Sequence, residues 1–368
     1  MKVLTVFGTR PEAIKMAPLV KRLNLEPGIE SVLCVTAQHR EMLDQVLDLF
    51  QLKPDYDLNI MQPNQTISAI TANVLTGIEE VFIKERPDIV LVHGDTTTTF
   101  AASLAAFYNK VKIGHVEAGL RTHDKYSPYP EEMNRVLTSH LADFHFAPTE
   151  NNRLNLLREG VADDTIFVTG NTVIDALLEV ADKPYSFENE TLKGIDFVNK
   201  RVITVTCHRR ENLGEYMVHI FSAIKDLALE FSDIEIIYPV HMNPKVRSTA
   251  NEILKGIDRV HLIEPLQYQP FVNLMAKSYL IITDSGGMQE EAPALGKPVL
   301  VVRKETERPE AVSAGTVKLA GVQQETIYGM AHELLTDASA HRRMANAINP
   351  YGDGHAAERI ISILKKQM

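Results

Sequence analysis

Cysteine is nearly missing from the 368 residues: only Cys34 and Cys207 are present. Two thiols cannot build a disulfide framework, and both lie in apolar runs that read as strands. Free buried thiols fit a reducing compartment. Positive charge is in deficit as well, with 38 Lys and Arg against 48 Asp and Glu and a net charge of −10. An acidic chain is a poor general nucleic-acid binder, so no nucleic-acid partner is expected. No window approaches 18 uninterrupted apolar residues, which argues against a membrane span and a membrane partner. The opening MKVLTVFGTRPEAIK has a short apolar run that stops at a glycine, without the h-region or cleavage site of a signal peptide. A cytoplasmic protein is the expectation. Metal spacing is also missing. His93, His115, His123, Asp95 and Asp124 are the candidate ligands, but no HExxH or CxxC occurs. No catalytic metal and no cofactor are expected, although a Mg²⁺ held by few carboxylates stays open. Neither a Walker A loop nor GxGxxG is present, which lowers ATP and NAD.

What is present is a regular alternation. VLTVF precedes EAIKMAPLVKRL, SVLCVTA precedes REMLDQVLDLF, and DIVLVHG precedes TTTTFAASLAAFY. KIGHVEA, FHFAPT and TIFVTG continue the series, with helical patterns between them. Continuous apolar strands alternating with helices indicate parallel sheets covered on both faces. The pattern weakens between about residues 180 and 200 and restarts at RVITVTCHR. It then runs through IEIIYPVH, RVHLIEP, YLIITDSGG and KPVLVV. The fold class is therefore α/β, with two doubly wound Rossmann-like domains facing a central cleft. The expected boundaries are 1–175 and 176–350. Residues 351–368 form an amphipathic helix whose docking the sequence does not fix, a return to the first domain being one candidate.

Ligands of such folds sit at the carboxyl ends of strands. The polar clusters of this chain fall there: Gly8-Thr9-Arg10, Gln38-His39-Arg40, His93-Gly94-Asp95, Glu117, the run from His208 to Asn212, His241, and Asp284-Ser285-Gly286-Gly287. That coincidence makes the case for an enzyme. Ser285, Gly286 and Gly287 follow a strand and open a helix, where free N–H groups favour a phosphate. Glu290 or Glu291 is placed to take two ribose hydroxyls; the plain alternative is an acid matched to the helix dipole. Arg10 and Lys15 suit a diphosphate, since cations at a helix start are otherwise disfavoured. His208 with Arg209 and Arg210 reads as an anion subsite or a charged surface turn. Asp95 and Glu117 end consecutive strands, and paired carboxylates can serve as acid and base. Glu131 and Arg135 are four apart on a predicted helix. That spacing gives either a solvated ion pair or a site carboxylate oriented by its own arginine. The threonines at 96–99 read as helix caps.

The segments FGTRPEAIKMAPLV, VHGDTTTTFAASLAAFY, GHVEAGLRT, YPEEMNR, TGNTVIDAL, HRREN, YPVHMNP and TDSGGMQEEAP occur in order along the whole chain. Together they resemble the bacterial non-hydrolysing UDP-N-acetylglucosamine 2-epimerases. The resemblance implies a GT-B, glycogen phosphorylase-like arrangement and interconversion of UDP-GlcNAc and UDP-ManNAc. The reaction would proceed by elimination of UDP to 2-acetamidoglucal and re-addition, supplying ManNAc for surface polysaccharide. It implies that Asp95, Glu117, Glu131 and His208 are catalytic, with Arg135 as a partner arginine. It places the UDP-sugar on Arg10, Lys15, Phe271, Ser285, Gly286, Gly287 and Glu291. It further implies an activator site at Gln38, His39, Arg209 and His241, and a homodimer. A GT-B glycosyltransferase using a UDP-sugar is the alternative.

Overall fold

The computed structural model describes residues 1–37, 40–62 and 65–367. Gln38 and His39 lie outside them. Among the described residues, thirteen strands form two all-parallel sheets. The chain separates into two compact units, Met1–Ala176 with Tyr351–Met368, and Leu177–Pro350.

In the first unit the strands are β1 (Lys2–Phe7), β2 (Glu30–Val35), β3 (Tyr56–Asp57), β4 (Ile89–His93), β5 (Lys112–Val116), β6 (Phe144–Ala147) and β7 (Ile166–Val168). Their order is β3-β2-β1-β4-β5-β6-β7, so the winding reverses between β1 and β4. Every residue of β4 is buried, as a strand sandwiched between helical layers requires. Leu4, Val6, Cys34, Val90, Val92 and Ile78 share one core. Burial pushes the Cys34 thiol up to about 12, with Asp57 adding to the shift.

The helix Ala356–Gln367 belongs to this unit, burying Ile360, Ile361 and Leu364. Asp175 accepts the backbone N–H groups of Ala356 at 3.2 Å and Ala357 at 2.9 Å. A carboxylate at that position satisfies two donors that the helix itself leaves unpaired. Replacing Asp175 with alanine is expected to cost about 2 kcal/mol of stability, seen as a lower thermal midpoint. An unchanged midpoint would mean that the helix is held by its apolar face alone.

In the second unit the strands are β8 (Arg201–Thr206), β9 (Ile234–Pro239), β10 (Val260–Ile263), β11 (Leu280–Thr283), β12 (Val299–Val301) and β13 (Val317–Leu319). Their order is β10-β9-β8-β11-β12-β13, with the reversal between β8 and β11. Ile203, Val205, Cys207, Phe221, Ile236, Tyr238 and Ile282 lie in its main core. Both units thus carry a topological switch point, the place where parallel α/β sheets open a crevice at the strand ends.

Candidate active site

In the first unit the switch-point strands end in polar turns. β4 and β5 pair in register to His93 and Val116. Gly94 follows at φ 66°, and its N–H donates to the Val116 carbonyl at 2.9 Å. A Cβ there would stand 3.7 Å from Glu117 Oε1 as well as being strained. Glu117 itself has φ 62°. A non-glycine residue in that region stores of order 1–3 kcal/mol and persists where its surroundings over-determine it.

The surroundings of Glu117 are specific. Its Oε2 accepts from the Lys15 ammonium in a close ion pair and from the Asn171 side-chain amide at 2.9 Å. Nε2 of buried His93 lies 3.7 Å from the same oxygen. Burial alone would raise the Glu117 carboxyl; Lys15 and His93 outweigh it and hold it well below the usual carboxylate range. Burial pushes the His93 imidazole down to about 4, with Glu117 pulling the other way. At neutral pH the site therefore holds an ionised carboxylate beside a neutral imidazole.

Asp95 is held from a different element. Arg135 donates to Asp95 Oδ2 through Nε at 2.9 Å and Nη2 at 2.6 Å, and Asn134 Nδ2 donates to the Asp95 carbonyl at 2.9 Å. The third guanidinium nitrogen donates to Glu132 at 3.0 Å. The expected Glu131–Arg135 pair is therefore corrected: the arginine serves Asp95 and Glu132. Both residues sit on the helix Glu131–Leu141, but Arg135 is turned inward toward the β4 turn, where its buried guanidinium meets Asp95 in a two-nitrogen contact while Glu132 of its own helix takes the third nitrogen. Glu131 Oε2 is buried without a hydrogen-bond partner.

Glu12 ties the first two turns together. Buried to 2% exposure, it accepts the N–H groups of Gly8 and Thr9 and the hydroxyls of Thr96 and Thr99. Thr96 caps its helix by accepting from the Thr99 N–H at 3.1 Å. Arg10 begins the helix Arg10–Leu25, half-buried.

In the second unit Ser285 is the N-cap of the helix Gly286–Ala294, and its own side chain makes no capping bond. A Cβ on Gly286 would stand 3.7 Å from Arg209 Nη2, and one on Gly287 3.3 Å from Glu291 Oε1. The helix start thus has a guanidinium and a carboxylate close by, the donors and the acceptor a ribosyl diphosphate asks for. His208 stacks on His241 with centroids 5.0 Å apart. Phe271 lies half-buried on the helix Tyr268–Lys277. The first unit gathers Asp95, Glu117, Lys15 and Arg135; the second gathers His208, Arg209, His241, Ser285, Gly286, Gly287 and Glu291. Gln38 and His39 fall outside the described residues. Among the described residues no group of three or more His, Cys, Asp or Glu could hold a metal ion, and no helix is long and apolar enough to cross a membrane.

Two site residues, Asn171 and Glu12, and one pairing, that of Lys15, are not legible in the sequence. Asn171 follows β7 and reaches Glu117; its signal is its place at a strand's carboxyl end, after a glycine. Lys15, a diphosphate candidate from the sequence, holds Glu117 from 102 positions away, a pairing its spacing does not announce. Glu12 is announced by a capping box with Thr9.

Residues 21–365 match the model of the UDP-N-acetylglucosamine 2-epimerase family. The chain is 58% identical to UDP-N-acetylglucosamine 2-epimerase of Bacillus subtilis (strain 168) over 364 residues, 99% of this chain and 95% of that one. It is likewise 58% identical over 370 residues to the Escherichia coli (strain K12) enzyme of the same name, 99% and 98% of the two chains. The crystal structure of the Neisseria meningitidis UDP-GlcNAc 2-epimerase bound to UDP-GlcNAc superposes with a TM-score of 0.86 at 54% identity, covering both chains fully. On these similarities, the chain belongs to the UDP-N-acetylglucosamine 2-epimerase family.

Proposed function

We propose that this protein interconverts UDP-N-acetylglucosamine and UDP-N-acetylmannosamine, without hydrolysis, by inverting C-2. That hydrogen is not adjacent to a carbonyl, so direct deprotonation is very unfavourable. Elimination avoids the problem. The C-1–O bond breaks with its electrons on UDP while a base takes the C-2 proton, giving 2-acetamidoglucal. Re-addition of UDP re-forms the C-1–O bond, and a proton arrives at C-2 on the opposite face. The step needs a base, an acid and cationic support for the departing diphosphate.

Glu117 carries this reading: a part-buried, ionised carboxylate held in a strained backbone at the end of β5, beside the switch-point strand β4. Glu117 and Asp95 would handle the C-2 proton, with Arg135 orienting Asp95. While Lys15 holds it, Glu117 is a weak base. A diphosphate that drew the ammonium away would leave burial as the main influence and raise its basicity. Glu131, with a buried unpaired oxygen, would assist at the sugar. His208 and the arginines would stabilise UDP, the diphosphate lying at Ser285–Gly287, the ribose at Glu291 and the uracil at Phe271. Arg209 and His241 would also serve an activator site, and the product would supply ManNAc to a surface polysaccharide.

Incubation with UDP-GlcNAc alone in heavy water tests this. Both UDP-sugars are expected, with deuterium at C-2. Free ManNAc would indicate a hydrolysing enzyme. No conversion without an acceptor would indicate a glycosyltransferase. Turnover without label at C-2 would remove elimination.

A further inference from the structure

Asp284 has no part in the reaction drawn above, yet its side chain is fully buried against His208. It follows β11 as His208 follows Cys207 at the end of β8, and these strands are neighbours. Its Oδ2 accepts the backbone N–H groups of His208 and Arg209, each at 2.8 Å, and the Asn212 amide at 3.1 Å. Its Oδ1 is buried with no hydrogen-bond partner. The buried Cys207 thiol beside this carboxylate is only a weak donor, and a carboxylate oxygen without water or a strong donor is costly. Nδ1 of His208 lies 3.6 Å from it, just beyond a hydrogen bond. The ring is stacked nearly parallel to that of His241, at 13°, which restrains tilting and leaves in-plane adjustment. His241 Nδ1 accepts the Asn243 N–H at 3.1 Å and so presents no proton of its own.

We propose that Asp284 is the positioning residue of His208: its Oδ1 takes Nδ1–H, fixes the ring's tautomer, leaves Nε2 for the departing diphosphate and supports the imidazolium charge. This rests on the reading that His208 serves the leaving group. Three donors lock Oδ2, so the ring closes the remaining gap, as long catalytic hydrogen bonds commonly do when charge develops. The carboxylate stays ionised and moves no proton. The groups facing the ring are Asp284, His241 and Arg209. Burial lowers the basicity of His208 first, His241 and Arg209 lower it further, and Asp284 alone favours the charged ring. Ser285 is the next residue, so one short segment would both receive the diphosphate and orient its histidine.

Nitrogen NMR of protein carrying ¹⁵N-histidine tests this without turnover, the His208 signals being those lost in His208→Gln. In the wild type the neutral ring is expected to carry its proton on Nδ1. In Asp284→Asn the three donors still require an oxygen, so the amide nitrogen must face Nδ1. The tautomer is then expected to switch to Nε2–H and the titration midpoint to fall by about one pH unit or more. A wild-type ring protonated on Nε2 would overturn the proposal, whether or not the variant folds. So would a variant with unchanged tautomer and midpoint. Failure of C-2 labelling would sink the epimerase reading and leave these signals untouched, so the two failures are distinguishable.

Discussion

Glutamine in place of Glu117 is expected to lower kcat about 10³-fold, within the range that a lost proton carrier costs. The amide keeps the shape and can still bond to Asn171, but it cannot take a proton from C-2. It also removes the Glu117 charge from beside the Lys15 ammonium, which is 22% exposed. A part-buried cation with less negative charge beside it would bind diphosphate more freely, so KM is expected to hold or fall while kcat collapses. That split separates lost chemistry from lost binding. Deuterium uptake at C-2 is the deciding measurement. Wild-type exchange into both sugars in the variant would remove Glu117 from the proton path and leave Asp95 and Glu131 to carry it. A matching loss of thermal stability with normal exchange would make the Lys15–Glu117 pair structural.

Why Glu117 could be picked out, and Lys15 could not be assigned to it, shows where a sequence stops informing. β4 reads IVLVH, buried on both faces, so its limits and the polar turn after it are visible in the string itself. The same holds for β8 and for the Ser285–Gly287 turn. Pairings across sequence distance leave no such trace. Local spacing pointed Arg135 at Glu131, and docking of the helix pointed it at Asp95 instead. Residues 56–85 show no clear pattern as a string, though they hold β3 and the 19-residue helix Ile67–Glu85. Two residues of strand carry no period. The helix does bury Val74, Ile78, Val81 and Phe82 at helical spacing, but Thr71, Thr76 and Gly77 dilute the pattern with weak helix formers. The docking of the helix Ala356–Gln367 depends on Asp175, roughly half the chain away, which no reading of the helix alone reveals.

Acid is expected to destabilise the fold well before the carboxylates titrate. His93 and His115 are buried at 3% and 0% exposure, and burial pushes them down from the usual 6.5 to about 4 and about 3. At these two sites the folded state therefore binds fewer protons than the unfolded chain below pH 6.5, so they withdraw stability as pH falls, against the opposite contribution of the Glu12 and Asp175 carboxyls, which burial raises. From pH 6.5 to 4 each histidine withdraws on the order of 3 kcal/mol. Glu117 acts in a separate window: its lowered carboxyl adds stability above its unfolded value near 4.5, lost only at more acid pH. The loss between 6.5 and 4 thus belongs to the imidazoles. Denaturant unfolding at stepped pH should show it as a slope that His115→Gln reduces, since a neutral amide has nothing to protonate. The variant forfeits the bond between Nε2 and the Gly94 carbonyl, 2.7 Å in length. It is therefore expected to be less stable at pH 7, and the two curves should converge as pH drops. Parallel curves would show that His115 gains its proton in the fold as readily as in the unfolded chain. In that case the neutral, desolvated setting inferred for the Gly94–Asp95 turn would be wrong.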